Sequence, residues 1–318
     1  MSPEFDIRFY EPGDERQILK LFRQSFGRDL AEARWSWRFR DSPTGSGVIG
    51  LAWHGDVLVA HYGASLVDLR VYGRDWKGGL VGGLMVHPDY RGYGLISKSG
   101  RMTHARMAEL GMPVVWGFPN SLSHRRVVKD LNFIDMHEVP MFRLSMNAVI
   151  ALPIPSGNIV ELEGFDHRFD DLWKQVRDDY PVITRRDREH LQWRYVRNPT
   201  ERYRILAYVD REDVLGYAVF KRYQEELQVI DILTVQDAEV GIQLILRMTQ
   251  LALGESASAL SLWLNMSHPL HWALEKLGFR NGEPITYFTA RILRPELSED
   301  VVYDYRNWYL TMGNSDVF

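Results

Sequence analysis

A short loop in the first half of the chain combines residue types that bind anions. An apolar segment ends at Pro88, and the sequence continues as DYRGYG before a helical pattern begins. Gly92 and Gly94 have no side chain, so backbone N–H groups at these positions can approach a ligand closely. The helix N-terminus adds unpaired N–H groups and a positive dipole end, and Arg91 adds a cation. These residues predict a site for a pyrophosphate.

The loop differs from two well-known phosphate-binding loops. It lacks the G-x-G-x-x-G pattern of dinucleotide-binding domains and the G-K-[ST] ending of a P-loop. An ordinary strand-to-helix turn that contains two glycines is the alternative interpretation. The complete run from His87 to Gly94 is more specific than its two glycines, which favours the binding site.

The elements that must position this loop occur twice in the chain. Residues 37–44 read WRFRDSPT, and residues 193–200 read WRYVRNPT. Further along, HRRVVKDLNF ends at Phe133, and LHWALEKLGF ends at Phe279. Either match alone could be chance. Because the two matches occur in the same order and at nearly the same separation, they predict a duplicated domain.

Apolar periodicity predicts the same order of elements in both halves. Each half reads as helices followed by strands, a helix, a strand, a helix and a final strand. This order predicts a mixed α/β (α+β) fold with two tandem domains, each a central, mostly antiparallel sheet flanked by helices. Prolines and a glycine in ALPIPSGNIVE interrupt the periodicity. The domains are therefore predicted to span residues 1–150 and 151–318.

Composition excludes several classes of protein. Of the 318 residues, 45% are hydrophobic and 25% are charged, which is typical of globular proteins and not of disordered chains. We expect no membrane span and no signal peptide, because no sufficiently long apolar run occurs. The formal net charge of −4 argues against a broad nucleic-acid surface. The absence of cysteine excludes a thiol nucleophile and fits a cytoplasmic protein. No metal-ligand spacing occurs among the histidines and acids.

At Arg91–Ile96 the chain resembles the GNAT superfamily of N-acetyltransferases. The central motif of that family is Arg/Gln-x-x-Gly-x-Gly/Ala after a strand. Arg91 and Gly94 match it, whereas Ile96 stands where glycine or alanine is usual. The order of elements from residue 5 to about residue 148 also resembles that fold. The resemblance implies that acetyl-CoA or another acyl-CoA is the co-substrate and that no metal takes part.

The resemblance also implies which residues contact the coenzyme. The backbone of the strand before the loop would pair with the pantetheine arm, and the loop with the first helical turn would hold the pyrophosphate. Asn120 resembles the coenzyme-contacting asparagine of the family, although it lies one residue early. The expected coenzyme-binding residues are Leu84, Met85, Val86, Arg91, Gly92, Tyr93, Gly94, Leu95, Ile96, Ser97 and Asn120.

The second half resembles the same fold without its coenzyme loop. It reads TVQDAEVGIQLI where the first half reads HPDYRGYGLI, so the arginine is absent and only Gly241 remains. Asp237 and Glu239 place negative charge where the phosphate would bind. We expect no coenzyme there. The second domain would be structural or would form a wall of the acceptor pocket.

The usual general acid of the family is absent. In many GNAT enzymes it is a tyrosine on the helix before a Gly-Phe pair, five residues before the phenylalanine. Counted back from Phe133 and Phe279, Val128 and Leu274 occupy that position here. Tyr93, Ser123 and His124 remain as candidate proton donors. The alternative interpretations are a loop aromatic for Tyr93, a helix cap for Ser123 and a solvated helix residue for His124.

Candidates for the base and the oxyanion donor are also available. In some tandem GNAT proteins that this chain resembles, the terminal carboxylate enters the active site, which implicates Asp316 and the carboxylate of Phe318. The alternative is a tail that packs for stability. His61 lies on a predicted strand and could titrate near neutrality, and a satisfied buried histidine is the alternative. The backbone N–H of Val86 is the expected oxyanion donor.

The arginines outside the loop are open to two interpretations. Trp37-Arg38 and Trp193-Arg194 recur in both halves, which favours a structural role for them. The arginines between residues 185 and 194 are expected on a solvated helix face. If they faced a cleft, they would suit a phosphate group.

These observations predict an acyl-CoA-dependent N-acyltransferase, and specifically an N-acetyltransferase. A primary amine would attack the thioester directly, and the acceptor would be a small molecule such as an amino sugar or a nucleotide-linked amino sugar. One alternative is transfer of longer acyl chains. Others are a non-catalytic acyl-CoA-binding or interaction protein and a protein-lysine acetyltransferase. The oligomeric state stays open.

Overall fold

The computed structural model describes residues 3–149 and 153–316 and contains two compact units. Unit 1 extends to Leu69 and also includes Asp75–His137 and Thr286–Tyr303. Unit 2 consists of Arg70–Arg74, Glu138–Ile285 and the residues from Asp304 onward. The predicted division at residue 150 follows the order of the chain, whereas each compact unit takes segments from both halves.

The elements of the first half follow the predicted order. The strands are β1 (Asp6–Phe9), β2 (Val48–His54), β3 (Val57–Val71), β4 (Arg74–Val86), β5 (Val114–Gly117) and β6 (Ile134–Ser145). The helices are α1 (Glu15–Phe26), α2 (Glu32–Phe39), α3 (Leu95–Glu109) and α4 (Ser121–Leu131). Apolar residues at helical spacing in ERQILKLFRQSF and alternation in the strands account for these assignments.

The second half adds a further set of elements. The strands are β7 (Asn158–Leu162), β8 (Val182–Thr184), β9 (Arg204–Asp210), β10 (Asp213–Tyr223), β11 (Glu226–Thr234), β12 (Ala259–Leu262) and β13 (Arg280–Ile292). The helices are α5 (Arg168–Val176), α6 (Arg188–Leu191), α7 (Ala238–Gly254), α8 (Pro269–Lys276) and α9 (Glu299–Val302). A π-helical turn, Gln192–Val196, continues α6 and contains the repeated Trp-Arg pair.

The sheet of unit 1 has the strand order β1-β2-β3-β4-β5-β13. β1, β2 and β3 are antiparallel neighbours. β4 and β5 are parallel, and Gly79–Val81 pair with Val115–Gly117. On the other side of β5, residues 289–292 of β13 pair with it in antiparallel register. A strand from near the end of the chain therefore completes this sheet.

Helices pack on both faces of the sheet in unit 1. α1 and α2 form one apolar cluster with strand residues, to which they contribute Ile18 and Phe39. α3 and α4 form a second cluster, to which they contribute Met107 and Val127. Each such side chain contributes about 1.5–3 kcal/mol when it is fully buried. The two clusters fix β4 between two layers of helices.

Within unit 2 the strand order is β6-β12-β11-β10-β9-β7. β11 and β12 are parallel, and the other registered pairs are antiparallel. Leu244 and Met248 of α7 and Leu270 of α8 pack against the apolar face of these strands. The predicted class, mixed α/β with mostly antiparallel sheets and flanking helices, is confirmed. Across residues 3–149 and 153–316, every helix is too short or too polar to cross a bilayer.

A buried ion pair lies at the centre of unit 2. Arg186 Nε is 3.2 Å from both carboxylate oxygens of Asp231, and the two side chains are 3% and 1% exposed. The hydroxyls of Thr311 and Tyr217 donate to the same carboxylate at 2.8 Å and 2.9 Å. Arg186 also donates to Asn314 Oδ1 at 3.0 Å. The predicted solvated face is therefore wrong for Arg186, which holds the C-terminal tail to the core of unit 2. It is also wrong for Arg194, which is buried and donates to the carbonyl of Ser315.

A buried histidine in unit 1 is held in the neutral form. His104 of α3 is 3% exposed, and its Nε2 lies 2.8 Å from the hydroxyl of Tyr62. Its Nδ1 accepts a hydrogen bond from Arg291 Nη1 at 3.2 Å. Burial, and then the charge of Arg291, lowers the pKa of His104 to about 3. The folded protein therefore resists protonation of this ring.

Replacement of Asp231 by alanine should destabilise the protein strongly. The substitution leaves the Arg186 guanidinium buried without its counter-charge, which costs about 3–5 kcal/mol when a buried pair is broken. Urea denaturation monitored by circular dichroism measures the change in the free energy of unfolding. Asp213→Ala, at an exposed strand end, is the matched control and should change it by less than about 0.5 kcal/mol. Equal effects of the two substitutions would contradict this account of the ion pair.

The free energy of unfolding should also decrease as the pH falls below 6.5. The unfolded histidine binds a proton with a pKa near 6.5, whereas folded His104 stays neutral down to a pKa of about 3, so added protons favour the unfolded state. Between pH 6.5 and 4.5 this contribution is about 2 kcal/mol, because one pKa unit corresponds to about 1.4 kcal/mol and half of the unfolded rings are already protonated at pH 6.5.

Urea denaturation of the wild type and of His104→Gln across this pH range measures the contribution. The variant should lose less stability on acidification than the wild type does. Leu110→Ala, which changes an exposed residue and no ionisable group, should keep the wild-type pH dependence. A His104→Gln curve parallel to the wild-type curve would show that His104 does not contribute.

Candidate functional site

The loop between β4 and α3 leaves open space beside its glycines. After β4 the chain forms a short 3₁₀ turn, Pro88–Tyr90, and then passes through Arg91 to Gly94. Gly92 and Gly94 have φ angles of 93° and 70°, which favour glycine. A Cβ atom built on either residue has no heavy atom within 4 Å. A ligand can therefore approach the backbone of this loop without meeting protein atoms.

The N-terminus of α3 offers free donors to such a ligand. Gly94 is the N-cap residue and supplies no side-chain cap, and the first turn contains no acidic residue. The N–H group of Lys98 bonds to the carbonyl of Gly94 at 3.0 Å, so the three preceding N–H groups, of Leu95 to Ser97, have no intrahelical partner. Arg91 is exposed and forms no ion pair within residues 3–149 and 153–316. This arrangement fits a pyrophosphate.

β4 contains a bulge immediately before the predicted pantetheine-binding residues. Val81 contacts the apolar cluster beneath α3, and so does Leu84, three residues later. A regular strand would place residues an odd number apart on opposite faces. Gly83, with a φ of 67°, provides the change of face. The register with β5 covers Gly79–Val81 and ends where the bulge begins, so Leu84 to Val86 lie beyond the residues that pair with β5.

α4 begins beside this opening with a capping asparagine. Asn120 Oδ1 accepts hydrogen bonds from the N–H groups of Leu122 and Ser123, each at 3.1 Å. Seven residues after Ser123, Asp130 accepts a hydrogen bond from Ser97 of α3 at 3.0 Å. Since residues seven apart share a helix face, Ser123 lies on the face of α4 that is directed toward α3.

His124 lies on a different face of the same helix. Its Nε2 is 2.5 Å from Asp135 Oδ1, and its ring stacks on Tyr287 at 3.7 Å. Tyr287 belongs to β13, which pairs with β5 on the side opposite β4. The structure therefore separates His124 from Ser123, and only Ser123 faces the side that contains the loop and α3. The assignment of either residue as a proton donor stays a prediction.

Tyr93 packs within an aromatic group beside the loop. Its ring lies 5.3 Å from that of Phe5, which also contacts Tyr90 and His54. Tyr93 remains 43% exposed. Such a position suits a residue that orders the loop, and its role as a proton donor stays a prediction.

The positions of the absent general acid are filled by apolar packing. Val128 packs against the cluster beneath α3, and Leu274 is fully buried in unit 2. Neither can transfer a proton. Trp116 and Phe118 of the β5 region are also buried, and Phe118 stacks on Phe288 at 5.1 Å.

The C-terminal tail is bound inside unit 2 up to Ser315. The carbonyl of Ser315 accepts a hydrogen bond from Arg194 Nη2 at 3.1 Å. Asp316 follows directly and is partly exposed. Phe318, whose carboxylate is a predicted base, lies outside the described residues. The catalytic roles of Asp316 and Phe318 stay predictions.

His61 does not behave as a group that titrates near neutrality. It lies on β3, is fully buried, and its Nδ1 is 2.7 Å from the carbonyl oxygen of Gly83 in the bulge. Burial lowers the pKa of His61 to about 4. Of the two interpretations, the structure agrees with the buried histidine, because the ring is removed from water. Sequence reasoning missed its contact with the bulge, although the glycine pair in GGLVGGLMV was a signal for an irregular strand.

In unit 2 the corresponding helix start has its own cap. The N-cap residue of α7 is Asp237, and its carboxylate accepts a hydrogen bond from the N–H of Glu239 at 2.9 Å. This carboxylate occupies the end of the helix where an anion would bind. Across residues 3–149 and 153–316, no cluster of three or more histidine and acidic side chains is arranged to hold a metal ion.

Comparison with protein families gives a match in the first part of the chain. The model of the acetyltransferase (GNAT) domain matches residues 6–127, a segment that contains the loop, α3 and most of α4. A comparison with curated proteins finds no match.

Solved structures share the fold over most of the chain. A conserved protein from Enterococcus faecalis V583, described as a probable N-acyltransferase, superposes with a TM-score of 0.71 at 12% identity, over 91% of this chain and 73% of that one. A GCN5-related N-acetyltransferase from Anabaena variabilis gives 0.68 at 12% identity, over 92% and 73% of the two chains.

A further GCN5-related N-acetyltransferase, from Kribbella flavida, gives a TM-score of 0.64 at 17% identity, over 91% of this chain and 71% of that one. At these identities the superpositions show the fold alone. The family match is specific to the segment that carries the loop. Residues 6–127 therefore match the acetyltransferase (GNAT) domain, and the rest of the chain shares only its fold with these structures.

Proposed function

We propose that the chain transfers the acetyl group of acetyl-CoA to a primary amine of a small molecule. The loop Arg91–Gly94 at the start of α3 carries this proposal, because open space, free N–H groups and a cation coincide there. The pyrophosphate of the donor would bind the N–H groups of Leu95 to Ser97, and Arg91 would neutralise part of its charge.

The pantetheine arm would extend along β4 beyond the bulge. The backbone of Leu84 to Val86 follows the last residue registered with β5, and Asn120 begins the helix on the far side of the opening. Strand-like hydrogen bonds to a ligand at such a position replace those that β5 would otherwise form. The thioester would then lie near the bulge, between β4 and α4.

The reaction needs no covalent intermediate on the protein. The amine nitrogen forms a bond to the thioester carbon, the C–S bond breaks, and the amine proton is lost as the CoA thiolate gains one. A backbone N–H of β4 would donate to the oxyanion of the tetrahedral intermediate. Ser123 is the proposed donor to the departing thiolate, since the residue lies on the α4 face directed toward α3. Its hydroxyl donates to Asn120 in this structure and would turn to the thiolate when the donor binds. The chain has no cysteine that could carry the acetyl group.

The proposed acceptor is an amino sugar or a nucleotide-linked amino sugar. Its support is the resemblance of the chain to tandem GNAT proteins, in which one domain retains the coenzyme loop. Unit 2 would be the second domain, without a coenzyme, because Asp237 caps α7 with its own carboxylate. Longer acyl groups are the alternative donor, and Ile96 in place of a small residue is compatible with a modified pocket.

Substitution of Gly94 should abolish binding of acetyl-CoA. A valine at this position places a side chain in the open space of the loop and near the free N–H groups of α3. Isothermal titration calorimetry with acetyl-CoA should show saturable binding for the wild type and at least about a hundredfold weaker binding for Gly94→Val, a loss of about 2.7 kcal/mol. Arg91→Ala should weaken binding about tenfold, because a charge-assisted contact is lost.

Gly111→Val is the matched control for this experiment. Gly111 follows the other end of α3, has a φ of 82°, and likewise has no heavy atom within 4 Å of a Cβ atom built on it. The two valine variants therefore share the backbone strain, and only one enters the loop. Equal losses in both would show that strain and not the site is responsible. Absence of wild-type binding to acetyl-CoA, with binding of octanoyl-CoA, would identify the longer donor, and absence of both would refute the proposal.

A further inference from the structure

The carbonyl of the bulge residue in β4 is held by a single buried side chain. His61 Nδ1 lies 2.7 Å from the carbonyl oxygen of Gly83. A carbonyl oxygen only accepts hydrogen bonds, so Nδ1 carries the proton and donates it. Burial lowers the pKa of His61 to about 4, so the ring stays in this neutral form at physiological pH. The contact is therefore a permanent constraint on the peptide between Gly83 and Leu84.

The orientation of that peptide determines where the next N–H points. The peptide bond is trans, so the carbonyl of Gly83 and the N–H of Leu84 point in opposite directions. His61 lies on β3, which flanks β4 on one side, and β5 flanks it on the other. With its carbonyl held by His61, the peptide directs the Leu84 N–H away from that ring, at a point where the register of β4 with β5 has already ended.

We propose that His61 is a positioning residue for acyl transfer: by holding the Gly83 carbonyl, it directs the Leu84 N–H at the thioester oxygen. This inference rests on the proposed function and assigns the oxyanion donor to Leu84 instead of Val86. His61 does not touch the substrate. Its Nδ1–H acts only through the peptide that it orients.

The other nitrogen of the ring supports this role. His61 Nε2 is buried and has no hydrogen-bond partner within the described parts of the chain. An unpaired buried polar atom costs about 1–3 kcal/mol. A histidine at this position is therefore explained by the hydrogen bond of Nδ1 and not by packing.

Unit 2 lacks the same arrangement at the corresponding positions. Tyr217 occupies the same place in β10 as His61 does in β3, counted from the first residue of each strand. Asp231 lies three residues before the end of β11, as Gly83 does in β4. There the Tyr217 hydroxyl donates to a carboxylate at 2.9 Å and not to a backbone carbonyl. In unit 2 the residue at the place of His61 therefore binds a side chain, and the nearby strand carbonyl of Ile232 accepts a hydrogen bond from Tyr309 instead.

Infrared difference spectroscopy of bound acetyl-CoA tests the inference without knowledge of the acceptor. With the carbonyl carbon of the acetyl group labelled with ¹³C, its stretching band reports the hydrogen bond from the Leu84 N–H. We expect a lower frequency in the wild type and a return toward higher frequency in His61→Ala. His61→Asn should keep the wild-type band, because its amide nitrogen replaces Nδ1. His61→Gln, whose amide nitrogen corresponds to Nε2, should resemble His61→Ala.

His104→Gln is the control, since it alters the other buried histidine of unit 1 and does not contact Gly83. Its band should equal that of the wild type. Calorimetry shows whether each protein binds acetyl-CoA. A wild-type band in a His61→Ala protein that still binds acetyl-CoA would overturn this inference and leave the proposed function intact. Retention of the band by His61→Gln but not by His61→Asn would also overturn it. Failure of the wild type to bind any acyl-CoA would overturn both.

A measurement on the wild type covers the case in which His61→Ala does not fold. Nitrogen-15 NMR of the histidine rings distinguishes a protonated Nδ1 from a protonated Nε2, and the spectrum of His61→Asn identifies the signals of His61. We expect the Nδ1–H form from pH 5 to pH 8. Observation of the Nε2–H form would overturn the inference, because Nδ1 could then not donate to Gly83.

Discussion

The site depends on the point at which β4 stops pairing with β5. The two strands share a register only from Gly79 to Val81, and Gly83 then turns the strand so that its following residues change face. Regular pairing beyond this point would satisfy the backbone of β4 internally. Because pairing stops, the strand can offer its backbone groups to a ligand, and the next loop and helix lie directly after it. The donors for an extended ligand are thus consecutive in the chain.

This irregular strand is stabilised by regular structure on both sides. The layer formed by α1 and α2 covers one face and the layer formed by α3 and α4 covers the other, so that β4 cannot relax into a straight strand without the loss of buried apolar contacts. His61 reaches Gly83 from β3 within the first of these layers. Burial that would be unfavourable for a charged ring is acceptable because the ring stays neutral. Packing therefore supports a local backbone geometry that propensity alone would not select.

Much of the fold could be predicted from the sequence because the local spacing of apolar residues indicates its helices and strands. The helix ERQILKLFRQSF and the strands of the two halves occur where apolar spacing predicts them. The loop Arg91–Gly94 could also be predicted, since a glycine with a positive φ and a helix start are local features. The surroundings of His61 and Arg186 could not be predicted, because burial depends on residues far away in the chain. The composition of a charged run such as RRDRE predicts a solvated segment. Arg186 is nevertheless enclosed by residues of β11 and of the C-terminal tail.

The pairing of β13 with β5 could not be predicted from the sequence either, and it affects the site directly. Residues 289–292 of β13 pair with β5, and the hydroxyls of Thr286 and Thr289 donate to the carbonyls of Pro119 and Gly117. These bonds fix the segment between β5 and α4, where Asn120 begins the helix. A fragment that ended at residue 150 would leave this edge of β5 unpaired and the segment unsupported. The segment that matches the family model, residues 6–127, therefore depends on a strand near the end of the chain for part of its geometry. For the same reason the compact units do not follow the two halves of the sequence.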